Sequence, residues 1–86
     1  MSDKPQPIDR VGLYPVNIAI WRNENEKGEV FYGATVENTF KDKEGSYQSS
    51  RRYSAYELLL LAKAADLAHT KIIQLRALDR AAVIYE

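Results

Sequence analysis

The chain has no cysteine and a single histidine, His69. Disulfides, thiol nucleophiles and the usual zinc ligand sets are thereby excluded, and neither a cofactor nor a resident metal is expected. It also lacks a long apolar run, because the longest, Leu58 to Ala62, falls far short of the ~20 residues needed to cross a bilayer. Excess charge is missing as well. Twelve basic residues balance twelve acidic ones, eight against eight through Tyr53 and four against four beyond it, so bulk charge draws the chain to neither nucleic acid nor membrane. Residues 1–10 are polar, without the ~7 to 15-residue apolar segment of a secretory signal, and the cysteine-free composition fits a reducing cytoplasm.

With 86 residues, such a chain buries only about 60 to 65 per cent of its unfolded surface. Domains this small draw extra stability from disulfides, metals or partner subunits, and here only the partner is left. A homodimer is therefore expected.

What is present reads as an α+β domain: an antiparallel sheet of three to four strands followed by one long C-terminal helix. Residues 1–13, with Pro5 and Pro7, read as a flexible arm, and 14–86 as the single domain. Strand periodicity covers about 16–22, where Val16, Ile18 and Ile20 alternate with Asn17, Ala19 and Trp21. A polar segment ending in Gly28 leads to a second strand over about 29–41, rich in β-branched and aromatic residues. Val30, Tyr32, Ala34, Val36 and Phe40 should face its core, with Phe31, Gly33, Thr35, Glu37 and Thr39 on the other side. Asp42 to Gly45 forms a turn with Gly45 suited to positive φ, and a third strand follows over about 46–53. A fourth could lie within residues 10–14 or arise from a break near Gly33.

The helix start is the best-specified local feature. Ser54-Ala55-Tyr56-Glu57 matches a capping box, with Tyr53 and Leu58 placed for a hydrophobic staple. No proline or glycine occurs from Ala55 to Arg80, so a helix over about 55–80 is expected, roughly 38 Å long. Leu58, Leu61, Ala65, Leu67, Ala68 and Ile72 belong to an apolar surface too broad for one small sheet, and they are the expected dimer contacts.

No catalytic constellation is evident. His69 lacks a positioned partner, and the loop carboxylates lack calcium-loop spacing, so the chain reads as a non-enzyme. The solvent face of the sheet carries more chemistry: Trp21, Phe31, Thr35, Thr39, Lys41, Gln48, Ser50 and Arg52, with Arg22 and Arg51 nearby. Aromatic rings among cations and hydroxyls suit single-stranded nucleic acid, with Trp21 and Phe31 stacking on bases and Arg22, Lys41, Arg51 and Arg52 holding phosphates. The same Trp21 and Phe31 could instead be a cross-strand pair on a half-buried face. Ser49 to Tyr53, with its paired arginines, reads equally as an anion-attracting patch before the helix or as a charged, aggregation-resistant edge.

Together with the stretches VNIAIWRNE (Val16–Glu24) and YELLLLAK (Tyr56–Lys63), this order resembles the single-stranded DNA-binding transcriptional coactivator fold, called positive cofactor four in eukaryotes, which has small bacterial and phage relatives. The resemblance covers residues 14–80 and is architectural. It implies a homodimer whose sheets face single strands while the helices pair, and a role in transcription regulation. A protein-interaction module using the broad apolar helix, without nucleic acid, is the alternative. Neither a membrane nor a small-molecule substrate is expected.

Overall fold

The computed structural model describes residues 4–85, the side chains of 82–85 excepted. Four antiparallel strands, β1 (Asp9–Leu13), β2 (Val16–Glu24), β3 (Val30–Lys41) and β4 (Tyr47–Ser50), form a meander in chain order, and α1 (Ala55–Tyr85) follows. The α+β expectation is met, with the sheet four-stranded.

β1 overlaps residues 10–14, one of the two places where a fourth strand was expected, and lies inside the segment read from sequence as a flexible arm. It pairs with β2 from Asp9–Ile20 to Leu13–Val16 and buries Val11 in the core. Two alternating apolar residues, Val11 and Leu13, are too few to mark a strand on their own. Pairing with the β-branched strand β2 makes one of them, through a two-residue turn at the cis Tyr14–Pro15 bond. Gly28 and Gly45 close the other two hairpins at φ values of 81° and 85°, in the left-handed region that glycine alone enters without strain. Asp42 fixes the second of these loops: its Oδ1 accepts the Glu44 and Ser46 amides, and the Ser46 amide above all holds its carboxyl below the usual range.

Alternation along β2 puts Val16, Ile18 and Ile20 under the helix, where they are almost fully buried. They meet Ala64 and Ala68 of α1, with Leu60, Leu61, Ile72 and Leu75 packed around them. Two alanines one turn apart give the helix a flat stripe, so it settles closely on the branched side chains of β2 and on Val11 of β1. Lys71, on the same side, bonds Asp9 of β1 at 3.0 Å, and this bond depresses the Asp9 carboxyl.

The helix begins as its sequence dictates. The Ser54 amide donates to Glu57 Oε1 at 2.8 Å and the Glu57 amide to Ser54 Oγ at 3.2 Å. Replacing Ser54 by alanine should cost about 1 kcal/mol, read as a lower urea midpoint with unchanged m-value. Glu57 also accepts from Asn38 Nδ2 at 3.1 Å. Its carboxyl is lowered chiefly by the Ser54 amide, so its contribution is present above the ordinary carboxylate pKa and is lost as pH falls through the depressed value. At the far end the Tyr32 hydroxyl donates to Asp79, with Arg22 Nε 4.0 Å from the same carboxylate. The helix runs on to Tyr85, continuing beyond the 55–80 span that the sequence marks out.

α1 therefore covers β1 and β2 and leaves much of the helix side of β3 open. Val36 and Phe40, expected in the core, are 45% and 39% exposed. Only Tyr32 of that row packs against the core.

Candidate functional site on the outer sheet face

The side of the sheet away from α1 is bare. Register assigns to it Arg10 and Gly12 of β1, Asn17, Ala19, Trp21 and Asn23 of β2, the odd-numbered residues from Phe31 to Lys41 in β3, and Tyr47 and Ser49 of β4. Small residues floor its middle. Ala19 lies between Arg10 and Thr35, Gly12 is opposite Asn17, and Gly33 is opposite Trp21.

Trp21 stands opposite Gly33, and its indole Nε1 donates to Thr35 Oγ1 at 2.9 Å. Phe31 is diagonal to Trp21 across the β2–β3 pair, a spacing within aromatic reach, and is 53% exposed. The two rings expected to stack thus share one end of this face.

Two depressions lie along β2. The smaller, about 150 Å³, is lined by Arg10, Asn17, Ala19, Trp21, Thr35 and Glu37. The larger, about 360 Å³, lies among Gly12, Tyr14, Pro15, Asn17, Thr39 and Tyr47. Asn17 borders both, so they form one shallow trough from Trp21 to the Tyr14–Pro15 turn, roughly 20 Å at strand rise. Tyr14 is held in place by its hydroxyl, which accepts the Lys41 amide at 3.0 Å where β2 has run out of partners for β3. Lys41 Nζ stands 5.9 Å from the Tyr47 ring centre.

The expected phosphate contacts divide. Lys41 is on this face, but Arg22 is on the helix side beside Asp79. Its even number, matching Val16, Ile18 and Ile20, already carried that signal. Gln48 and Ser50, expected on the solvent face, lie on the helix side opposite Phe40 and Asn38. The length of the Asp42–Ser46 loop sets this register, and strand alternation alone does not reveal it. β4 ends at Ser50, leaving Arg51 and Arg52 exposed in the connection to α1. Arg52 borders a helix-side hollow with Asn38, Phe40 and Glu57. The anion-patch reading of this connection is weakened at the helix start, since the Glu57 carboxylate already accepts the Ser54 amide and Ser54 Oγ the Glu57 amide. Sequence reading missed Arg10, Tyr14 and Tyr47. Arg10 was hidden by the arm assignment, Tyr14 by its place in a turn between strands, and Tyr47 by the register.

Among the described residues no group of three or more His, Asp or Glu could hold a metal ion, and no helix is long and apolar enough to cross a membrane. His69 and Asp66 are exposed on α1 and border none of these hollows.

No family model, curated protein or solved structure matches this chain. The fold therefore stands on its own geometry.

The intended dimer contacts also divide. Ala68 is buried in the chain's own core, so it is removed from any interface. Leu67, one turn before Lys71, lies on the flank toward β1. Leu58, Leu61, Ala65 and Ile72 share the other flank, which Ile72 and Arg76 identify by bordering Val30 and Tyr32 of β3.

Proposed function

We propose that the chain is a homodimeric binding module that holds single-stranded nucleic acid in the trough of its outer sheet face. The observation that carries this reading is the Trp21–Phe31 end of the trough, an indole pinned by Thr35 with an exposed ring diagonal to it in the strand register. Bases stack on such platforms for about 1 to 3 kcal/mol each, whatever their sequence. Arg10 and Lys41 flank the trough and Arg51 lies just beyond β4, while Glu37 keeps phosphates off its centre. The composition favours a cytoplasmic setting, and a regulatory role in transcription is the context that the resemblance suggests.

Three cations predict a shallow salt dependence, a slope of about −2 in log K against log salt for a single strand. The test is titration of the protein with a short oligonucleotide at low salt, following Trp21, the only tryptophan. Quenching with micromolar affinity is expected, weakened roughly tenfold or more by Phe31→Ala. Unchanged fluorescence and anisotropy at low salt would sink the proposal.

The dimer half rests on a separate observation, the open helix side of β3. The chain exposes 7089 Å², whereas a globular monomer of its mass exposes roughly 5,200 Å². Its radius of gyration, 15.8 Å, likewise exceeds the roughly 12 Å expected for its length. The excess surface is more than twice the ~800 Å² that one partner contributes to a stable interface. Val36, Phe40, Leu58 and Ala65 make that surface apolar, and zero net charge leaves two copies without mutual repulsion. A second copy of the chain is the occupant proposed, and a chain that sediments as a monomer would instead favour docking of a different protein.

A further inference from the structure

We infer that the hollow between Tyr14 and Tyr47 is a pocket for a single unstacked nucleobase, with Asn17 and Thr39 facing its edge. This rests on the nucleic-acid reading of the outer face and adds a second, discriminating site to the Trp21 platform.

Its volume, 360 Å³, falls at the small end of ligand pockets, which run from about 300 to 1,000 Å³. That suits one planar ring system rather than a larger ligand. Both tyrosines are two-thirds exposed, Tyr14 at 67% and Tyr47 at 66%, so each offers a ring face to a base. Tyr14 is not free to swing away, because its hydroxyl is tied to the Lys41 amide. The base would therefore meet a wall that is already ordered, which lowers the entropy cost of binding.

The polar groups are placed for an edge. The half-buried Asn17 side chain has no hydrogen-bond partner among the described residues, leaving its two donors and its acceptor available. An Asn amide meets the N6 and N7 edge of adenine with two bonds, so adenine is the base expected here. Thr39 Oγ1, in loose contact with Ser49 Oγ at 3.5 Å, supplies a second hydroxyl that can donate or accept. Lys41 Nζ, beside the Tyr47 ring, is available to the phosphate of the same nucleotide.

Gly12 keeps the pocket open. A Cβ built there meets nothing within 4 Å, and its φ is not in the positive region, so a larger residue would occupy the hollow without straining the strand. Gly12→Val therefore fills the site while leaving the fold intact, and Tyr47→Ala removes one wall.

The experiment uses the full chain and short single strands in which one abasic position is moved along the sequence, with Trp21 quenching and anisotropy read together. In the parent protein two positions should each lose about tenfold in affinity when the base is missing, one at the Trp21 end and one at the tyrosine end. In Gly12→Val and in Tyr47→Ala, sensitivity at the second position should vanish while quenching of Trp21 persists. At that position adenine should bind better than thymine in the parent, and Asn17→Ala should erase the difference. Quenching that persists with only one sensitive position in the parent, or with two that neither variant alters, overturns the pocket alone. Absence of quenching in the parent overturns the nucleic-acid reading, and the pocket with it.

Discussion

Replacing Val36 by lysine is expected to convert the proposed dimer into a folded monomer. Val36 lies opposite Ile18 in the β2–β3 register and is 45% exposed, in the middle of the row that α1 leaves uncovered. In an isolated chain a lysine there lays its stem along the sheet and carries its ammonium to water, so the cost to folding is small. In a dimer closed over this face the ammonium and its twofold copy have no way out. An uncompensated buried charge costs about 3 to 5 kcal/mol, which raises the dimer dissociation constant at least about a hundredfold. Sedimentation equilibrium measures the change, and circular dichroism checks that the fold is kept. Leu59→Lys is the control, since Leu59 lies roughly 100° further round the helix from Leu58 and is 70% exposed. If the parent is a monomer at micromolar concentration, or if Leu59→Lys weakens association as much as Val36→Lys does, the proposed interface is wrong.

The second large effect lies where the sheet is tied to the helix start. Asn38 is 3% exposed, and its Nδ2 donates to the Arg52 carbonyl at 2.8 Å and to Glu57 at 3.1 Å. Both partners only accept, which fixes the amide orientation and leaves Oδ1 without a partner among the described residues. Asn38→Asp keeps the shape and removes the donors. A carboxylate would then face a carboxylate and a carbonyl in a buried site, a loss of about 3 to 5 kcal/mol near neutral pH against the ~4 to 13 kcal/mol that a chain of this length holds. Burial and the Glu57 charge raise the folded-state pKa of the new carboxyl. Its deficit is therefore smallest below the unfolded pKa and grows as pH rises through the folded value. Urea melts of variant and parent at matched pH, from about 3.5 to 7, should show the gap widening with pH. A gap that is constant or narrows would mean that Asn38 does not face Glu57.

Legibility in the sequence followed the range of the interactions. The capping box needs only residues within four positions of one another, and Ser54 and Glu57 pair as their spacing says. β2 and β3 were equally plain, because their alternation runs over many residues. Arg22 shows a signal that was present but unused, since parity alone puts it with Ile20. β1 shows the opposite case: the five residues DRVGL have little strand character until β2 pairs with them. Tyr47 and Gln48 exchanged faces because the loop from Asp42 to Ser46 decides the register.

The long helix and the strands β2 and β3 were thus determined by the sequence itself, through caps, periodicity and turn residues that act over short distances. Which sheet face the helix covers, and how much of it, was decided only in three dimensions. The flat stripe of Ala64 and Ala68 finds its closest fit on the branched side chains of β2 and β1, where the most apolar surface is buried per unit of helix length. That choice leaves Val36 and Phe40 open on one side and brings Tyr14, from a turn, within reach of Tyr47 on the other. Pairings between residues so far apart along the chain depend on packing, which no local pattern encodes.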